Sequence, residues 1–134
     1  MTHTPIYQLF FAGRPGTAYL HRADAIKASD AEGSSVQYTI SGTRYMDNAE
    51  VRELVQVAFP MDFGALGHLD VTARYTVKHN ALGLPVVRVS EIHVAGLGYI
   101  FTLPRLNANA VVSVRNEVAR VIETDLLEQM EAAA

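Results

Sequence analysis

His68-Leu69-Asp70-Val71-Thr72-Ala73-Arg74-Tyr75-Thr76-Val77-Lys78 alternates without a fault. Leu69, Val71, Ala73, Tyr75 and Val77 fall on one side, and His68, Asp70, Thr72, Arg74, Thr76 and Lys78 on the other. Period two with one apolar side is the pattern of a strand in an antiparallel sheet that buries one face and wets the other. His79-Asn80-Ala81-Leu82-Gly83 turns the chain, and Pro85 to Ala95 returns as a valine-rich strand. The alternation of that second strand slips at Ser90-Glu91, the mark of a β-bulge. The hairpin therefore decides the class: antiparallel β.

Upstream, Ile6 to Ala12 is an aromatic-rich strand closed by Gly13-Arg14-Pro15-Gly16, where Pro15 and Gly16 suit the centre of a type II turn. Thr17 to Lys27 reads as β-compatible, and Ala28 to Ser34 as a polar loop. Ser35 to Met46 alternates as one strand, with Val36, Tyr38 and Ile40 on one face, and Asp47-Asn48 breaks it. Val51 to Phe59 is a further strand ending at Pro60, followed by a loop from Met61 to Gly67. Downstream, Ala95 to Tyr99 is a loop into a short apolar piece ending at Pro104. Val114, Val118, Ile122, Leu126 and Met130 then recur every four residues, with Val111 and Val121 beside them. That is one stripe of an amphipathic helix of roughly five turns. Asn107 or Asn109 is placed to cap it, and Glu117 and Arg120 form an i, i+3 pair on its wet side.

The chain has 134 residues, a single-domain length, divided as a β-barrel over 1–105 and a C-terminal helix over 106–134. The expected fold is a small antiparallel barrel, OB-like, of five or six strands with one C-terminal amphipathic helix. A curved antiparallel sheet with the helix across one face is the competitor. An apolar fraction of 49 % with 19 % charged residues excludes disordered, collagenous and coiled-coil classes. Absence of cysteine excludes disulfides and thiolate chemistry and fits a reducing, cytoplasmic compartment. Neither a secretory signal nor a membrane span is expected.

Function is sought first in charge. Residues 106–134 hold two arginines against five acidic side chains, which is the whole net charge of −3. A protein holding duplex DNA by charge alone is usually more basic. The basic residues are nine Arg and two Lys, and arginine presents forked donors suited to phosphate and carboxylate. Arg74 and Lys78 point outward on the strongest strand, Arg88 sits on its partner, and Arg44 and Tyr45 end an earlier strand. Such a face tracks a phosphate backbone while aromatic rings stack on unpaired bases. Tyr19, Tyr45 and Tyr99 are the candidates for exposed rings, whereas Tyr38 and Tyr75 belong to the core by alternation.

Other chemistries have weaker signals. His68 and Asp70, with Glu91 and His93, offer imidazole and carboxylate on paired strands, but the spacing is common on any wet sheet face and no metal or cofactor is assigned. His21 and Asp24 are three apart, on opposite faces of a strand, and neither a nucleophile elbow nor a zinc-protease helix is present. Gly96 and Gly98 are followed by an apolar piece and Pro104 where a phosphate cradle needs a helix. An enzyme is therefore not expected; a pocket joining His21, His68, His79 or His93 to a carboxylate would point to one.

Tyr19-Leu20-His21-Arg22 before a polar loop, then Val36 to Gly42 ending in Ser41-Gly42, resembles the opening of single-stranded-DNA-binding-like OB-fold proteins of integrative conjugative elements and plasmids. Val71 to Lys78 with Val86 to Val94 looks like their closing hairpin, so the resemblance spans roughly 17–95. It departs at Pro60 to Gly67, too short for the helix of bacterial single-strand-binding proteins, and at the end, which lacks their acidic, aromatic tip. The resemblance implies binding of single-stranded nucleic acid without catalysis, in replication, transfer or recombination of a mobile element. The rival expectation is a protein-interaction or inhibitor module of such an element, whose cue is an exposed apolar patch. The helix stripe must be buried on the barrel or on a second copy, which points to a homo-oligomer.

Overall fold

The computed structural model describes residues 1–11, 14–32, 36–40, 43–47, 50–99 and 108–133, with side chains placed for 1–10, 15–30, 50–99 and 109–133. The chain divides into two compact units, Thr4–Leu54 and Val55–Ala134 with Met1–His3. The protein is mainly β, with antiparallel pairing at every described register and a long C-terminal helix, compatible with the OB-like class expected. None of the described helices is long and apolar enough to cross a membrane.

The unit Thr4–Leu54 holds β1 (Thr4–Phe11), β2 (Arg14–Tyr19), α1 (Arg22–Glu32), β3 (Val36–Ile40), β4 (Thr43–Asp47) and the start of β5 (Glu50–Asp62). Three expectations are corrected here. Pro15 and Gly16 do not form a turn; Pro15 lies within β2 opposite Phe10. β2 ends the strand order, and an edge position tolerates a residue without an N–H. Residues 22–32 are helical where strand and loop were expected. Ala23, Ala25, Ala28 and Ala31 are strong helix formers, and Asp24 sits in the first turn, where the helix dipole favours a negative charge. Without an apolar stripe this helix is poorly visible to periodicity; of its described side chains only Ala25 is fully buried. Finally, Ser35 to Met46 is two strands, because Ile40 pairs with Thr43 and leaves a two-residue connection, the favoured hairpin length. Ser41 and Gly42 lie outside the described residues. Ile6, Phe10 and Leu54 form the core of this unit, with Ala18 against them and the Arg52 guanidinium 4.4 Å from the Phe10 ring centroid.

In the second unit β5 continues from Val55 and pairs with β6 (His68–His79), β6 with β7 (Pro85–Val94), and β7 with β8 (Gly98–Tyr99). β5 does not stop at Pro60, which pairs with Asp70 two residues before the strand ends. The core gathers Val57 and Phe59, Val71, Ala73 and Tyr75, and Val87, Val89, Ile92 and Val94 from the three long strands. The bulge expected at Ser90-Glu91 is present. Arg74 faces Glu91 and Tyr75 faces Val89, leaving Ser90 as the extra residue, whose hydroxyl donates to the Arg74 carbonyl at 3.1 Å. Val77, expected inside, is exposed along with every residue from Thr76 to Leu84. The hairpin has left the core at that point.

The helix α2 (Ala108–Ala133) closes the core. Val118 and Ile122 are fully buried, and Val114 and Leu126 pack beside them. The Val87 N–H donates to Glu123 Oε1 at 2.9 Å, which ties the helix to β7. The stripe is thus used within the unit, and the argument from it for a second copy falls away. Met130 departs from the stripe and is exposed. Asn109 is the second residue of the helix, inside it and not at its cap, and Asn107 lies outside the described residues. His3 joins the N-terminal segment to both layers. Its Nε2–H donates to Asp125 Oδ2 at 2.5 Å, and its Nδ1 accepts from the Tyr75 hydroxyl at 2.6 Å, the tautomer that the Asp125 carboxylate requires.

Two outcomes follow from this packing. Ile122→Asp should cost at least ~3 kcal/mol in denaturant unfolding, because it places a charge where no partner exists, whereas Met130→Asp should stay within about 0.5 kcal/mol. Equal losses would mean that the helix does not present this face to the sheet. Burial, with the Asp125 charge behind it, pushes the Tyr75 phenol up from 10.0 to about 12. Between these values the unfolded chain loses the proton first, so stability falls as pH rises from ~10 to ~12. A pH titration of unfolding should show that loss in the native chain and not in Tyr75→Phe.

Candidate functional site

The face of β5, β6 and β7 away from α2 carries the residues that alternate with the core. Gln56 pairs with Arg74, Ala58 with Thr72, Thr72 with His93, and Arg74 with Glu91, so five polar side chains, Gln56, Thr72, Arg74, Glu91 and His93, converge across three strands. With Tyr99 on β8 they line an open cleft of about 320 Å³. The bulge makes this possible. In uninterrupted alternation Glu91 would follow Val87 and Val89 into the core; the extra residue returns Ile92 and Val94 there and delivers Glu91 to the opposite face.

Glu91 is only 7 % exposed. Burying a carboxylate costs several kcal/mol unless a charge and hydrogen bonds meet it. Arg74 meets it: Nη1 donates to Glu91 Oε2 at 3.1 Å, while Nε donates to Gln56 Oε1 at 3.0 Å. Two of the five guanidinium N–H donors are thereby used to fix the plane of the group. Next to it, His93 and Tyr99 meet edge to face across the β7–β8 pair, with ring centroids 5.2 Å apart. The Tyr99 ring is 44 % exposed and forms one wall of the cleft. A fixed guanidinium, a hydroxyl, an imidazole and an exposed phenol ring make a surface for a planar, polar ligand.

Of the site residues expected from sequence, Arg74 lies in this cleft, while Lys78 and Arg88 stand exposed further along the same face, Arg88 opposite Thr76 and Lys78 opposite Val86. Arg44 and Tyr45 lie on β4 in the other unit, opposite Thr39 and Tyr38, and their side chains are outside the described residues. The register also settles which polar residues meet: Arg74 and Thr72, and not His68 and Asp70, face Glu91 and His93. Among the described residues no group of three His, Asp or Glu side chains is placed to hold a metal ion. His21 is exposed ahead of α1, and Asp24 is exposed in its first turn. Gln56 was not foreseen, since nothing in Val51 to Phe59 marks one polar residue above another. Glu91 and Tyr99 had signals, the slip in alternation for one and the loop position for the other. No family model matches this chain, and neither the curated proteins nor the solved structures contain a match to it.

Proposed function

We propose that the protein binds single-stranded nucleic acid without catalysis, across the face of β6 and β7 that turns away from α2. The observation that carries this reading is the exposed Tyr99 ring beside a guanidinium fixed by Gln56 and Glu91, on a face that continues to Lys78 and Arg88. An unpaired base stacks on the phenol ring, Arg74 and Thr72 offer donors to its edge, and the two exposed cations meet the backbone phosphates. The charge of Arg74 is already met by Glu91, so it positions a ligand more than it displaces counterions. The resemblance of residues 17–95 to single-stranded-DNA-binding-like proteins supports the same reading, and with it replication, transfer or recombination of a mobile element in the cytoplasm.

One observation favours a second reading, a protein-interaction or inhibitor module of a mobile element: Leu82, Leu84 and Val86 are exposed together at the end of the β6–β7 hairpin. Fluorescence anisotropy with oligo-dT separates the two. With Lys78 and Arg88 as the exposed cations of this face among the described residues, log K should fall against log salt with a slope of about −1.4. Lys78→Ala with Arg88→Ala should flatten that slope to near zero. Tyr99→Ala should cost ~1–3 kcal/mol of binding and leave the slope unchanged. Absence of binding at ~50 mM salt with tens of micromolar protein would overturn the proposal in favour of the second reading.

A further inference from the structure

The β6–β7 hairpin ends in a turn that is fixed with unusual completeness for a loop that buries nothing. Asn80 N–H donates to the Leu84 carbonyl at 2.9 Å, and Gly83 N–H donates to the Asn80 carbonyl at 2.9 Å. The Asn80 side chain closes the remaining gaps, its Oδ1 accepting from Leu82 N–H and Leu84 N–H, each at 3.0 Å. Gly83 holds φ at 76°, a conformation that residues with a Cβ rarely adopt. Four hydrogen bonds thus stiffen a loop whose outermost side chain, Leu82, is 82 % exposed. A leucine held rigidly in water gains nothing for the fold.

Its surroundings name the partner's charge. Residues 75–90 contain no Asp or Glu and carry Lys78, His79 and Arg88, in a chain whose net charge is −3. The carboxylate that reaches this hairpin from α2, Glu123, is hydrogen-bonded to the Val87 N–H. An apolar point flanked by cations on a projecting β-ribbon has the composition of a wedge that enters a stack of bases while its flanks hold the phosphates. We infer that Leu82 is such a wedge: a strand lying on the β6–β7 face is unstacked at one base step where it passes the hairpin tip. This rests on the function proposed above and adds a second contact, four residues past Lys78 and beyond the end of β6 at His79.

The test uses the full chain and an oligo-dT carrying one 2-aminopurine, whose emission rises when its neighbours unstack. With the native chain, emission should rise when the probe occupies one position and change little at the others. Leu82→Ala should keep the native melting temperature, bind about tenfold more weakly, lose most of the emission rise and keep the same salt slope. Leu82→Phe should restore both affinity and emission. If Leu82→Ala binds and emits as the native chain does, while Lys78→Ala with Arg88→Ala abolishes binding, the wedge is refuted and the proposed function stands. If the native chain does not bind the oligonucleotide, both fall. Binding to phosphatidylserine vesicles that Leu82→Ala loses, without binding to the oligonucleotide, would make the tip a membrane contact and overturn the inference.

Discussion

One extra residue, Ser90, governs the geometry of the second unit. β7 must bury Val87 and Val89 before it and Ile92 and Val94 after it, and a regular strand cannot place both pairs on one face. The bulge opposite Arg74 absorbs the mismatch, and the Ser90 hydroxyl bonds to the Arg74 carbonyl at that point. The core then runs unbroken under α2, and Glu91 is left on the other face with Arg74 across from it. With Ser90 held in a regular ladder, burying Val87 and Val89 would turn Ile92 and Val94 outward and carry Glu91 into the core, away from Arg74. Core and cleft therefore share one irregularity.

The same unit separates its charges. α2 and the residues after it hold the chain's whole acidic excess, while the hairpin from Tyr75 to Ser90 is free of carboxylates and carries two cations. α2 packs on the core face, so the acidic helix and the wet side chains of the hairpin lie on opposite faces of the sheet. An anionic ligand of the kind proposed would then be oriented by local fields even though the molecule is acidic as a whole. Screening over about 8–10 Å at ordinary salt keeps the two faces from cancelling each other. Within the cleft, the Arg74–Glu91 pair contributes position more than attraction, since each charge largely satisfies the other.

How much of this was legible in the sequence depends on which physical signal each part left. Strict alternation over 68–75 and its slip at Ser90-Glu91 gave the hairpin, its buried face and its bulge, because burial on one face imposes period two. The four-residue recurrence of Val114, Val118, Ile122 and Leu126 gave α2 for the corresponding reason. α1 left no such signal: it buries almost nothing, so its alanines spoke only through propensity, and a residue-by-residue reading for strands passed over them. β3 and β4 look like one strand in the sequence because alternation does not mark where the chain reverses. In the site, Arg74, Lys78 and Arg88 were visible as outward cations, but that Arg74 is engaged by Gln56 and Glu91 depends on the register between strands, which a single sequence does not state.

On the proposed function a single strand lies on the β6–β7 face and nowhere else in this unit. Amide chemical shifts of the isotope-labelled protein, followed as oligo-dT is added, test it most directly. Shifts should concentrate at Thr72, Arg74, Lys78, Leu82, Arg88 and Tyr99, with Val114 to Leu126 of α2 unmoved. Shifts concentrated on α2 with the β6–β7 face silent would contradict the account.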